Sequence, residues 1–231
     1  MSSDEAVQLI FKMSGPAPQF LGTCFAIYDS QQLCTAAHVI YGHELKDLAI
    51  LGPGEPGRRR ILRAIFHPDA DIALVHASEP KADLTAFFRS IIPGGTDSAQ
   101  VIAVGAIEGR EIYPPLKTFV GYRMRTFEHV SHYRHLTSNL PLRYWADEIN
   151  VSVRSGLSGG PAFVETGQLF AMVTESLELG TETSYQTREI SEGHTHTTQI
   201  VRIVESGIIL RLFEMISWIR DIGNRVRQDG G

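Results

Sequence analysis

Only two cysteines, Cys24 and Cys34, occur among 231 residues, which excludes a disulfide-stapled scaffold. No apolar run approaches the roughly 18–20 residues that a helical membrane span needs. Basic residues are in the minority, 21 Lys plus Arg against 26 Asp plus Glu for a net charge of −5, so the basic stripe of a typical nucleic-acid binder is missing. The chain carries no internal repeat and no low-complexity tract. Met1-Ser2-Ser3-Asp4-Glu5 lacks the positive start and apolar stretch of a signal peptide. The expectation is a soluble, cytoplasmic protein with neither a membrane nor a nucleic acid as partner. With 43% hydrophobic residues the chain buries a real core, as one large domain or two small ones.

What is present is a succession of short segments. Val7, Leu9, Phe11 and Met13 alternate with Gln8, Ile10 and Lys12, a period near two that predicts a strand. Gly22 to Tyr28, the turn Asp29-Ser30-Gln31-Gln32 and Leu33 to Ala36 predict a hairpin, with Cys24 and Cys34 on its two arms, reduced and buried or facing each other. Further strands are expected at 48–51, 61–66, 72–76, 101–106, 119–122, 148–153, 162–164 and 168–174. Many short strands separated by turn clusters such as Pro93-Gly94-Gly95 favour a sandwich or barrel. Arg123–Arg143 shows no clear period and reads as a long loop. From Ser206 onward, Ile208, Ile209, Leu212, Phe213, Ile216 and Ile219 predict an amphipathic helix of about five turns, packed on the second half of the chain or offering its stripe to a partner.

Amide hydrolysis at neutral pH needs a nucleophile, a base, a group that orients the base, and donors for the developing oxyanion. Thr35-Ala36-Ala37-His38-Val39 supplies a histidine at the end of the hairpin. Asp71-Ile72-Ala73-Leu74 supplies an aspartate at the start of an apolar strand, and Gly156-Leu157-Ser158-Gly159-Gly160-Pro161 a serine in a glycine-rich turn. In this order the three motifs resemble those of the chymotrypsin/trypsin-like serine peptidases, and more narrowly the disulfide-poor bacterial members. Ile216-Ser217-Trp218-Ile219-Arg220 is similar to that family's closing helix.

The resemblance implies an all-β fold of two six-stranded Greek-key β-barrels with a C-terminal α-helix. Residues 1–88 would form the barrel carrying His38 and Asp71, residues 89–205 the barrel carrying Ser158, and residues 206–231 the helix and tail. It implies a serine endopeptidase acting through an acyl-enzyme on a protein or peptide substrate. His38 would be general base and acid, Asp71 (rather than the nearby Asp69) its orienter and Ser158 the nucleophile, with the N–H groups of Gly156 and Ser158 as oxyanion hole. No metal or organic cofactor is implied.

Three departures from the family pattern matter. Val39 replaces a half-cystine of animal trypsins. Leu157 stands where zymogen-activated members carry an aspartate, so the oxyanion turn must be held in another way. Ser152, six residues before the nucleophile, stands where trypsins carry the specificity aspartate. The substrate pocket would comprise Ser152, Thr174, Glu175 and Ser176, with Glu175 available to attract a basic group. An active cytoplasmic protease calls for a narrow substrate or a regulatory protein partner, acting through Arg123–Arg143.

Other readings compete. A protease-fold module that holds a peptide without cutting it uses the same motifs. G-x-S-x-G is also the nucleophile elbow of α/β-hydrolases, which Glu175 with His194 or His196 would complete. His129, His132 and His135, or His194 with His196, could hold zinc, although solvated loop histidines are the commoner outcome. Arg125, Arg134 and Arg143 with Tyr133 and Tyr144 would suit a single-stranded nucleic acid, against the net charge.

Overall fold

A computed structural model of the chain describes residues 6–29, 31–52, 58–79, 91–93, 99–109, 111–134, 139–191 and 194–229; within 178–204 and 226–229 it describes the backbone alone. Strands β1 (Val7–Lys12), β2 (Gln19–Asp29), β3 (Gln32–Thr35), β4 (Leu48–Leu51), β5 (Arg58–Phe66) and β6 (Ala73–Ala77) close a barrel in the order β1-β2-β3-β6-β5-β4. A second barrel repeats the plan. It joins β7 (Gln100–Gly105), β8 (Lys117–Arg134), β9 (Pro141–Ile149), β10 (Pro161–Val164), β11 (Leu169–Ser191) and β12 (His194–Arg211) in the order β7-β8-β9-β12-β11-β10. The jump from third to sixth strand makes each a Greek key, and closure leaves neither with a free edge. Phe25, Ile27, Leu33, Ile50 and Ile72 fill the first core, and Val101, Ile149, Leu157, Phe170 and Ile209 fill the second.

Several expectations change. Arg123–Arg143 is not one long loop: Arg123–Arg134 lies in β8 and residues 141–143 lie in β9, which pair as a long hairpin. Its period was hidden because several buried positions are polar, namely Arg123, His129 and Ser131. Arg123 stands by Asp147 at 3.7 Å. The strand expected at 148–153 ends at Ile149.

The helix expected from Ser206 begins at Ile216. β12 runs to Arg211, a 3-10 turn covers Leu212–Met215, and α2 spans Ile216–Asp229. Ile208, Ile209 and Leu210 are all fully buried, and a strand covered on both faces reads as a continuous apolar run rather than an alternation. The second barrel therefore extends past residue 205; the boundary expected at 88/89 lies outside the described residues. The helix also packs on the first barrel rather than the second. Trp218 meets His67 edge-on at 4.9 Å, and a Cβ on Gly223 would stand 2.2 Å from the Tyr28 ring.

The thiols take the reduced, buried state expected of them rather than facing each other. Cys34 pairs across the hairpin with Phe25, so Cys24, one residue away, points to the opposite side of the sheet. Both are free and buried, and burial pushes the Cys24 thiol up to about 12 and raises that of Cys34 as well. Without reductant, two thiols per chain should react with an aromatic disulfide reagent in denaturant and neither in the folded protein at pH 8. Zero in denaturant would mean a disulfide.

Candidate active site

β3 and β6 are neighbours, with Thr35 across from Ala73. Residues leaving β3 and entering β6 at that end are thus brought together, and they include His38, in the short helix α1 (Ala37–Ile40), and Asp71. Asp71 is fully buried, and both its oxygens serve His38. Oδ2 lies 2.7 Å from the ring Nδ1, and Oδ1 accepts the His38 backbone N–H at 3.0 Å. With Nδ1–H directed at the carboxylate, Nε2 is the ring nitrogen left for other work. Asp69 is exposed, and its N–H donates to His67 at 3.0 Å.

Ser158 sits between β9 and β10 in a turn that needs its glycines. Gly156 has φ +95° and Gly159 φ +85°, and a Cβ at Gly159 would lie 2.0 Å from the Thr23 carbonyl oxygen. The turn is anchored to the first barrel by Thr23. Its hydroxyl donates to the Gly156 carbonyl at 2.8 Å, and its N–H donates to the Ser158 carbonyl at 2.9 Å. Leu157, at the position the sequence left open, is fully buried in the second core, which stabilises the turn by about 1.5–3 kcal/mol. The adjoining Ser155 carbonyl accepts the Glu108 N–H at 2.7 Å. Among the described residues no protein group accepts the Gly156 or Ser158 N–H. The Ser158 hydroxyl donates to the Thr174 carbonyl at 2.9 Å rather than to His38.

His38 and Ser158 line one cleft of about 720 Å³, together with Gly156, Thr174, Glu175 and Ser176. Ser152 is not part of that lining; its hydroxyl donates to Glu205, which is. Two residues of the β8–β9 hairpin, His132 and Tyr133, roof the cleft. The Tyr133 ring stacks on the His38 imidazole, with centroids 4.0 Å apart and planes 1° from parallel. Burial, helped by the charges of Asp71 and Glu175, raises the Tyr133 phenol to about 12, so it is neutral.

Glu175 is the electrostatic anchor of this roof rather than a free acid. It accepts hydrogen bonds from the Ser131 hydroxyl, from the Tyr144 hydroxyl at 3.3 Å and from the His132 N–H at 3.3 Å. Its oxygens also lie 3.0 Å from His132 Nδ1 and 3.3 Å from His129 Nε2, the latter a contact by distance rather than a well-directed bond. Burial pushes its carboxyl up, but His129, Ser131 and His132 outweigh that and hold it at about 2. His135 lies outside the described residues, as do the side chains of His194 and His196; among the described residues no three potential ligands gather around a metal site. Ser158 leads into β10 and not a helix, so the hydrolase-elbow reading lapses. Thr23 and Glu205 carry no motif that the sequence could have flagged, and Tyr133 stands out only beside the arginines of a nucleic-acid reading.

No family model and no curated protein matches the sequence. Solved structures match its fold. The active form of the Rv3671c protease from M. tuberculosis aligns with a TM-score of 0.67 at 16% identity, over 96% of this chain and 82% of that one. The MamO protease domain from Magnetospirillum magneticum aligns at 0.64 and 12% identity, over 93% and 95%. The HtrA-type protease AlgW, solved with a decapeptide, aligns at 0.60 and 14% identity, over 94% and 65%. The chain thus has the two-barrel fold of the trypsin/chymotrypsin-like serine proteases. Among the described residues no helix is long and apolar enough to cross a membrane.

The Glu175 arrangement gives a pH signature. A depressed carboxyl contributes stability above its unfolded value of 4.5 and loses it as pH falls through about 2. Glu175→Gln should cost about 3 kcal/mol in urea unfolding at pH 7. The gap to the native protein should narrow steadily below pH 4.5. A gap independent of pH would show that the carboxylate's charge is not what holds the hairpin.

Proposed function

We propose that this chain is a serine endopeptidase that cuts a protein or peptide substrate through an acyl-enzyme. The observation that carries the reading is one cleft holding both Ser158, beside two N–H groups without protein acceptors, and His38, oriented by a buried Asp71. Ser158 Oγ attacks the scissile carbonyl while its proton passes to His38 Nε2. Asp71 keeps the ring oriented and balances the imidazolium. The oxyanion is met by the N–H groups of Gly156 and Ser158, each worth roughly 10²–10³ in rate. His38 then protonates the departing amine as the C–N bond breaks, leaving the acyl group on Ser158. Water, giving a proton to His38, attacks the ester, and the proton returns to Ser158 as the acid leaves.

The chemistry requires the Ser158 hydroxyl to turn from Thr174 to His38, and substrate entry requires the Tyr133 roof to shift. The β8–β9 hairpin is therefore the regulatory element, and a substrate or protein partner that engages it frees the imidazole. Two buried, unpaired thiols suit a reducing compartment, and we assign the protein to the cytoplasm. The same two features, the serine on Thr174 and the tyrosine on His38, favour a second reading, a peptide-binding module that does not cut.

A fluorophosphonate followed by intact mass separates the two. One adduct is expected on the native protein and none on Ser158→Ala or His38→Ala; no adduct on folded native protein would favour the binding module. Because β8 and β9 are barrel strands, the hairpin is tested by Tyr133→Ala rather than by deletion. Loss of the stack should speed labelling roughly 2- to 10-fold. An unchanged rate would remove the hairpin from regulation.

A further inference from the structure

The cleft beside Ser158 is walled by residues 153–156 on one side and 174–177 on another, and a third wall comes from β12. A Cβ on Gly207 would stand 2.6 Å from Val153 Cγ2 and 2.9 Å from the Val151 carbonyl, so β12 lies hard against the segment leading to Ser158. Glu205, two residues earlier in the strand, points to the same side as Gly207. Ser206 points the other way, where its hydroxyl donates to Glu148 at 2.7 Å. The glycine opens the space that Glu205 enters.

One Glu205 oxygen accepts the Ser152 hydroxyl. Among the described residues no cation pairs with the carboxylate. Arg154 lines the same cleft and is exposed, without an ion pair to it. Glu175, the other acid in the lining, already serves Ser131, His132 and Tyr144. Glu205 is thus the carboxylate with capacity to spare. Ser152, where the sequence offered no charge, acts as its support.

We propose that Glu205, steadied by Ser152, makes the cleft selective for an arginine or lysine side chain on the residue whose carbonyl Ser158 attacks. This rests on the reading of Ser158 and the Gly156 and Ser158 N–H groups as the reacting centre. With the carbonyl held there, the side chain on the same residue enters the slot between residues 153–156 and 174–177 and reaches Glu205. A guanidinium or ammonium donates to the free carboxylate oxygen, and a neutral side chain leaves that acid unpaired.

Two peptidyl phosphonates that acylate an activated serine, one with an arginine side chain and one with leucine, test this beside the plain fluorophosphonate. The native protein should react with the arginine probe roughly 10- to 100-fold faster than with the leucine probe. Glu205→Gln should abolish that ratio, and Ser152→Ala should lower it part-way. Benzamidine binding, followed by thermal shift, needs no catalysis and should be lost in Glu205→Gln. Benzamidine binding without any serine adduct would uphold the pocket and overturn the peptidase reading. Equal rates for the two probes, or an arginine preference kept by Glu205→Gln, would overturn the role of Glu205. So would failure of benzamidine to bind the native protein.

Discussion

The backbone N–H, hydroxyl and carbonyl of Thr23 are all committed at the junction of the two barrels. The N–H and the hydroxyl hold the carbonyls of Ser158 and Gly156, the hydroxyl also accepts the Ala106 N–H at 3.3 Å, and the carbonyl accepts the Thr35 hydroxyl at 2.7 Å. Thr23 is fully buried, so each partner it lost would be an unsatisfied polar group costing about 1–3 kcal/mol. Gly159 must be glycine for the same reason, because the Thr23 and Thr35 oxygens occupy the space a Cβ would need. This one residue holds the turn in which, among the described residues, no protein group accepts the Gly156 or Ser158 N–H. A strand of the first barrel thereby holds the turn that carries Ser158, with two hydrogen bonds and the burial of Leu157 beside it.

Around that turn, function depends on how acids are distributed. Asp71 is spent wholly on His38, and Glu175 on the hairpin that brings Tyr133 over the imidazole. Glu205 retains an oxygen toward the cleft. Three carboxylates in one region thus divide into holding the His38 ring, clamping a roof and lining the cleft, and the division follows from which neighbours each one meets. The roof couples the first barrel to the second: Tyr133 belongs to β8, and the ring it covers belongs to α1.

The sequence was most legible where chemistry forces a motif. His38, Asp71 and Ser158 stand out by motif, and the fold brings His38 and Ser158 into one cleft with Asp71 against the His38 ring; the short alternating strands pointed to a sandwich or barrel. Legibility failed where burial overrode periodicity. Ile208, Ile209 and Leu210 form a strand covered on both faces and read as the first turns of a helix that begins only at Ile216. In β8, Ser131 is a buried polar residue satisfied by the Glu175 carboxylate 44 positions away, and the buried His129 lies beside the same carboxylate, so the alternation that marks a strand was invisible. Thr23 and Glu205 were illegible for a different reason. Their roles exist only once the barrels bring residues 23 and 156, or 152 and 205, side by side.

The threonine clamp holds the turn that carries Ser158, and Thr23→Val removes its hydroxyl while conserving shape. Fluorophosphonate labelling of Ser158 should slow roughly 10- to 100-fold with the circular dichroism of the barrels unchanged, and Thr23→Ser, which keeps the hydroxyl, should label within a few-fold of the native rate. Native-rate labelling of Thr23→Val, or no labelling of the native protein at all, would contradict the account.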